Sequence, residues 1–330
     1  MHYLRFIFGL LFIVFIILLL HIKNLPNTFR IECAIRTSVP AETLYNYIKD
    51  FENWSEWNTW IKEDSTMKLQ FKNIGTENPS YSWDGKNGIG SMETISAQAP
   101  YILNQKMNFE GFKSSNIQWN IKNNSDSLKW VMEGNMNFFA KAFMVFKGSM
   151  ETSIGPNYQK GLENIDRILS NRLNDYRFEL KGSSIIQKQF YLYLTFQKNN
   201  SALDSIISKG SNELYAYANK NNLEVSGSIF SIVPKTTTGA MTWTLGLPIK
   251  KPHFAKDTFI KSKVMPERKV LKGVHYGPYD NINRSWEKLN TEMELLNPKL
   301  LYYPLTIYIV NKKSDKDPLT WETQLLLPYK

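Results

Sequence analysis

Cysteine, histidine and arginine are all scarce in this chain, and each shortage removes a class of chemistry. Cys33 is the single cysteine, so an internal disulfide framework and a cysteine-based zinc site are both excluded. The four histidines, His2, His21, His253 and His275, are scattered with no H-x-x-x-H spacing, and no metal is expected. The 40 basic residues divide into 32 lysines and 8 arginines. Arginine is the usual reader of phosphates and base edges. The net charge of +10 therefore reads as a lysine-rich surface, and no nucleic-acid partner is expected. The chain has no nucleophile elbow, zinc-protease helix, P-loop or dinucleotide fingerprint. Asn87-Gly-Ile-Gly90 holds only G-x-G and reads as a hairpin turn, so no cofactor is expected either.

What the chain does hold is apolar and aromatic surface. It is 42% hydrophobic and 14% aromatic over 330 residues, enough for two domains with separate cores. Residues 6–20 are apolar throughout, with Gly9 the one small residue, and the run extended to Ile22 is 17 residues long. That is the low end for a membrane-spanning helix. A signal peptide is the competing reading, but no small-x-small cleavage pattern follows, and Cys33 lacks a lipobox-like prelude. Residues 1–26 are therefore read as an uncleaved anchor, with the membrane met through residues 4–22. Arg5 on the short tail favours an inside amino terminus; Lys23, Arg30 and Arg36 on the other flank oppose it.

A first domain is expected over residues 27–175. Residues 29–37 alternate as a strand. A helix follows, with Ser38 as its cap, Pro40 in its first turn and Leu44, Tyr47 and Ile48 as its stripe. Trp54, Trp57 and Trp60 then recur at i, i+3, i+6, a spacing that puts three indoles near one face of a short helix. Strands are expected at 67–71, 81–84, 91–97, 103–109, 117–122 and 128–134, separated by turn signals that include residues 123–126. After Gly155-Pro156, Tyr158, Leu162, Ile165 and Leu169 mark a long closing helix. An antiparallel sheet curved around such a helix encloses a cavity.

The segment resembles the helix-grip, START-like family often labelled polyketide cyclase/dehydrase, or SRPBCC. The resemblance rests on Asp50-Phe-Glu-Asn-Trp54-Ser-Glu-Trp57, Tyr81-Ser-Trp83-Asp-Gly85, Gly90-Ser-Met-Glu93, Trp130-Val-Met-Glu-Gly134 and Gly161-Leu-Glu-Asn-Ile165. It implies a fold more than a function, since the family includes lipid carriers, cyclases and plain binding modules.

A second domain is expected over residues 182–330, with Gly182-Ser-Ser as linker. Residues 187–197 alternate as a strand, a helix carries Leu203, Ile206, Ile207, Leu214 and Tyr217, and strands follow near 224–233 and 239–247. The order repeats with a strand at 269–275, a helix at 281–296 and strands at 305–310 and 320–327. Two β-α-β-β units in tandem suggest a duplication with a groove between the halves. Residues 250–272 hold eight Lys/Arg against Asp257 and Glu267 and read as a solvated loop between the repeats.

This half resembles the GyrI-like small-molecule-binding domain, also found as the effector domain of AraC-type and MerR-type regulators. Val274-His-Tyr-Gly277-Pro278-Tyr279, Trp286-x-x-Leu289 and Trp321-Glu-Thr-Gln-Leu-Leu-Leu-Pro328 carry the match. Many relatives place an acidic residue before the tyrosine of the penultimate strand. Here the element is Thr306-Ile-Tyr308, and the last strand has Thr323-Gln324 where Thr-Glu is common. The resemblance thus implies an uncharged aromatic groove of Trp243, Tyr276, Tyr279, Trp286, Tyr308 and Trp321. No helix-turn-helix pattern precedes it.

The sequence therefore predicts an α+β protein: an amino-terminal transmembrane helix, a helix-grip antiparallel sheet around a long helix, then a duplicated GyrI-like domain. Its expected role is non-catalytic binding of a small apolar or amphipathic, lipid-like ligand. The expected binding residues are Trp54, Trp57, Trp60 and Trp83 in the first domain and the six aromatics just named in the second. One alternative is a cyclase or hydrolase using a tyrosine or a cavity carboxylate, with Asp50, Glu93, Glu133 and Glu151 as candidates. Another is an envelope protein that binds a partner through an exposed tryptophan face.

Overall fold

The computed structural model describes all residues except 1, 123–126, 198–202, 233–241, 256–258, 297–302 and 312–313. It divides into two compact units, Met1–Ser170 and Asn171–Lys330.

The first unit opens with α1 (His2–Asn24). Its side chains are exposed along nearly the whole length, and Phe6–Asn24 is long and apolar enough to cross a membrane. β1 (Thr28–Arg36) follows after three residues, then α2 (Ala41–Lys49). Pro40, not Ser38, occupies the α2 N-cap, and no side chain caps it. The turn is set instead by Thr37, whose hydroxyl accepts from Val39 N at 3.1 Å.

The tryptophan run does not form one helix. A 3-10 turn (Phe51–Asn53) leads into α3 (Trp54–Trp57), and α4 (Thr59–Glu63) starts afresh. Asn58 makes the break: its side-chain oxygen accepts from Trp60 N and Ile61 N, an N-cap that propensity places at helix starts. Trp54 and Trp57 are thereby buried completely while Trp60 is only half-buried.

Six strands follow: β2 (Lys68–Lys72), β3 (Ser80–Gly85), β4 (Gly88–Gln98), β5 (Ile102–Phe109), β6 (Ser115–Lys122) and β7 (Ser127–Asn135). With β1 they form one antiparallel sheet in the order β1-β7-β6-β5-β4-β3-β2. Each strand pairs with its chain neighbour except β1, which closes on β7. The expected turn at 123–126 lies outside the described residues. Two helices complete the unit, α5 (Phe138–Lys147), which sequence periodicity did not announce, and α6 (Met150–Leu173). Gly155-Pro156 falls inside α6 rather than before it. Pro156 cannot donate to the carbonyl of Thr152, but both residues are exposed, so water can satisfy that carbonyl. Tyr158, Leu162, Ile165 and Leu169 are buried, as their spacing predicts.

The second unit begins with a strand where a linker was expected. β8 (Arg177–Ile186) and β9 (Gln189–Gln197) precede α7 (Leu203–Lys220), followed by β10 (Phe230–Ile232) and β11 (Thr242–Ile249). The second half repeats the pattern with β12 (Lys261–Met265), β13 (Arg268–Tyr276), α8 (Ile282–Leu296), β14 (Leu305–Val310) and β15 (Glu322–Pro328). The repeat is thus β-β-α-β-β. The Gly182 segment is absorbed into β8 by a register irregularity against Lys272 and Gly273 of β13, with Gly182 at φ 78°. Much of the basic stretch 250–272 is strand, not loop. The strands expected at 224–233 and 239–247 become β10 and β11; residues 233 and 239–241 lie outside the described residues.

All eight strands form one sheet, β12-β9-β11-β10-β14-β15-β13-β8. The order is symmetric about the β10–β14 pair. Each half also lends its first strand to the other: β8 pairs with β13, and β12 with β9. Alternation splits the side chains between a large helix-covered layer with Leu192, Leu245, Leu289 and Leu325 and a smaller layer with Tyr191, Phe230, Leu305 and Leu326.

Candidate functional site

The first unit is hollow. A cavity of about 520 Å³ lies between the inner face of its sheet, the tryptophan helices and α6, within the range of sites for drug-sized ligands. A tryptophan stack backs its wall, with Trp130 and Tyr158 in the lining and Trp119 behind them. Trp119 and Trp130 face each other across β6 and β7, with ring centroids 4.4 Å apart and planes at 16°. Tyr158 of α6 lies flat on the other side of Trp130, at 3.7 Å and 6°. Trp54 packs edge-on to both tryptophans of the stack. Polar anchors fix these rings: Trp54 Nε1 donates to Ile48 O at 2.8 Å, and Trp119 Nε1 to Gln105 Oε1 at 2.9 Å.

The remaining lining comes from alternate strand positions. Phe29, Tyr81, Trp83, Met92, Met107, Phe109 and Met132 point inward, as period-2 alternation requires. Asn58, Asn87, Asn135, Ser115 and Ser153 supply sparse polarity, and Lys113 is the one cation of the lining among the described residues. Phe112 and Phe143 line the cavity and are also 41% and 43% exposed, so they mark its mouth.

Among the described residues, no carboxylate lines the cavity. All four acidic candidates lie elsewhere. Asp50 accepts from Glu52 N at 3.0 Å as a 3-10 cap, Glu93 and Glu151 are exposed, and Glu133 pairs with Arg30 on the outer face. The reason is strand parity: Glu93 and Glu133 follow the inward Met92 and Met132 by one residue. Besides Lys113, the titratable groups of the lining are the phenols of Tyr81 and Tyr158. Burial pushes the hydroxyls of both Tyr81 and Tyr158 above their ordinary value of 10, so each stays neutral at physiological pH. Tyr158 donates to Met132 Sδ at 3.0 Å. Such a site can enclose an apolar body and donate a few hydrogen bonds. Among the described residues, no three His, Cys, Asp or Glu side chains converge as metal ligands.

Of the expected first-domain residues, Trp54, Trp60 and Trp83 line the cavity, while Trp57 is sealed against Trp54, Trp119 and Trp130. The run is therefore no exposed interaction patch. The methionines and Trp130 were open to discovery by strand parity. Phe143 was not, because α5 carried no sequence signal that was read.

In the second unit, ring contacts join Tyr279 to Tyr308 at 5.4 Å and to Trp321 at 4.5 Å, and all three are buried core. Tyr308 shares a 2.9 Å hydrogen bond with Ser231. Trp286 is half-buried against the same layer. Trp243 is half-buried on β11, and Tyr276 lies under the Arg177 guanidinium at 3.8 Å. Three of the six, Tyr279, Tyr308 and Trp321, are core, and Trp243, Tyr276 and Trp286 are half-buried.

A family described as polyketide cyclase / dehydrase and lipid transport matches residues 37–156. Those residues contain most of the cavity wall. Solved structures similar to parts of the chain include the EcmrR C-terminal domain, at 17% identity over 47% of this chain and 98% of that one, TM-score 0.38. The Zhui aromatase/cyclase from Streptomyces sp. R1128 is 9% identical over 44% of this chain and 95% of its own, TM-score 0.33. SAV2435 bound to tetraphenylphosphonium is 10% identical, over 47% and 94%, TM-score 0.33. No curated protein matches the chain.

Proposed function

We propose that the first unit is a helix-grip binding domain that holds a small apolar or amphipathic molecule without transforming it. The observation that carries this is the cavity: about 520 Å³, walled by tryptophan, phenylalanine and methionine, with no carboxylate in its lining among the described residues. The family description spanning residues 37–156 supports small-molecule binding as the broad class. α1 serves as an uncleaved anchor with the short Arg5 tail inside and the body outside the membrane. The second unit, with its duplicated halves, is a GyrI-like module whose ligand site, if the half-buried Trp243, Tyr276 and Trp286 contribute to it, is distinct from the cavity.

The test is native mass spectrometry of the full chain released in detergent, with lipid extraction of the same sample. One apolar or amphipathic small molecule per chain is expected, at an intact mass that includes residues 2–24. A chain that carries nothing and takes up nothing from a broad lipid and metabolite panel defeats the binding reading. A mass short of the α1 residues defeats the anchor. An enzyme using a phenol is the second reading, favoured by Tyr158 and Tyr81 in the lining; turnover of any bound molecule that Tyr158→Phe abolishes would establish it.

A further inference from the structure

We infer that the cavity mouth opens onto the bilayer surface, with α5 as an interfacial helix that delivers a lipid-like ligand from the membrane. The inference rests on the binding reading and on α1 as anchor.

Distance makes the first argument. α1 ends at Asn24 and β1 begins at Thr28. Three connecting residues span at most about 11 Å, so a membrane-held α1 keeps the first unit against the bilayer. The chain also has no slack to rotate freely, because α5 is tied to this exit. Lys141 Nζ donates to Asn27 Oδ1 at 2.7 Å and to Lys23 O at 3.2 Å, and Ile22, the last apolar residue of the run, is buried. α5 therefore sits where α1 leaves the membrane.

Exposure makes the second. Phe138 and Phe139 on the first turn of α5 are 45% and 77% exposed. Phe139 and Phe143 stand at i, i+4 and share one helix face, and Phe143 lines the cavity. One phenylalanine stripe thus runs from the α1 exit to the mouth. The facing side of the mouth is tied to the same helix. Asn137 caps α5 through Ala140 N and donates to Gly111 O at 2.8 Å, holding the β5–β6 turn that carries Phe112 and Lys113. Apolar side chains at the acyl boundary with a cation beside them match an interfacial helix on a lipid surface. Lys113 is placed to meet an anionic headgroup or the polar end of the ligand.

The experiment uses the full chain in vesicles of phosphatidylcholine and phosphatidylglycerol. A spin label at Phe139→Cys, in a Cys33→Ser background, reads depth by collision with oxygen and with a water-soluble nickel chelate. Oxygen accessibility well above nickel accessibility is expected. A water-like ratio overturns the docking, and protection from both reagents, the mark of a second protein chain, overturns it too. Separately, a dansyl-labelled fatty acid is supplied either from the vesicles or from solution. Phe139→Glu, which does not line the cavity, is expected to slow uptake from vesicles at least tenfold while leaving the solution affinity within twofold. Unchanged vesicle uptake overturns the portal. A wild-type chain that binds no dye from solution defeats the binding reading instead, and the depth measurement still decides the docking.

Discussion

Both units lay an aromatic ring over a glycine on the neighbouring antiparallel strand, with opposite results. In the first, Trp83 pairs with Gly90, and an added Cβ would stand 2.2 Å from its indole. That ring faces the cavity. In the second, Phe230 pairs with Gly246, where a Cβ would stand 2.3 Å from the ring, and Phe230 is sealed within a closed layer. The same local device ends in a wall around space in one unit and in filled core in the other. The difference comes from what covers the sheet. α6 meets the first sheet through Tyr158 and the small Gly161, whose Cβ would meet Trp57 and Trp130 at 3.3 Å. The second sheet has two helices on its covered face, and Leu214 and Leu289 of those helices are buried in its core.

The largest expected effect separates core from wall inside the tryptophan run. Trp57→Ala should cost about 3–5 kcal/mol of stability, as deletion of a buried aromatic does. Trp60→Ala should cost under about 1 kcal/mol yet weaken ligand binding; denaturant titration and dye affinity read the two. Equal losses of stability would erase the distinction. Next come the glycines. Gly90→Ala and Gly246→Ala should each destabilise by about 1–3 kcal/mol through overpacking, but only Gly90→Ala should reduce dye binding, because only Trp83 faces the cavity.

A cavity-filling change sharpens the contrast further. Met107→Trp should weaken ligand affinity about tenfold, near 1.4 kcal/mol, without lowering Tm, since it replaces space rather than core. A clear drop in Tm would mean the space is needed by the fold. The smallest effect is one of pH. His275 in the second unit is buried, its Nε2–H donating to Pro278 O at 3.1 Å and its Nδ1 accepting from Ser285 at 2.8 Å. Burial holds its pKa below the ordinary 6.5. The unfolded chain therefore gains a proton first as pH falls, so this contribution is whole above about 6.5 and is lost below it. His275→Gln should flatten the decline in Tm between pH 7 and pH 5.5. An unchanged slope would assign it to other groups.

Much of the first sheet was legible because alternation is local: each inward Met92, Met107 or Met132 follows from parity once the strand is found. The same parity, read through, would have turned Glu93 and Glu133 outward. Asn58 was readable as a cap, yet the even tryptophan spacing masked it. β8 was hidden by Gly182, which signals a turn but here sits in a register irregularity that only the partner strand β13 reveals. α5 was hidden because its phenylalanines are exposed rather than arranged as a buried stripe.

By itself, the sequence determined the strand parity and the apolar α1, both of which depend on residue type and near spacing. Only the tertiary structure decided that Trp57 is core while Trp60 and Trp83 are half-buried at the cavity. It alone joined α5 to both the α1 exit and the mouth. Those outcomes depend on contacts such as Lys141 with Asn27 and Asn137 with Gly111, between residues far apart in the chain, which no local periodicity encodes.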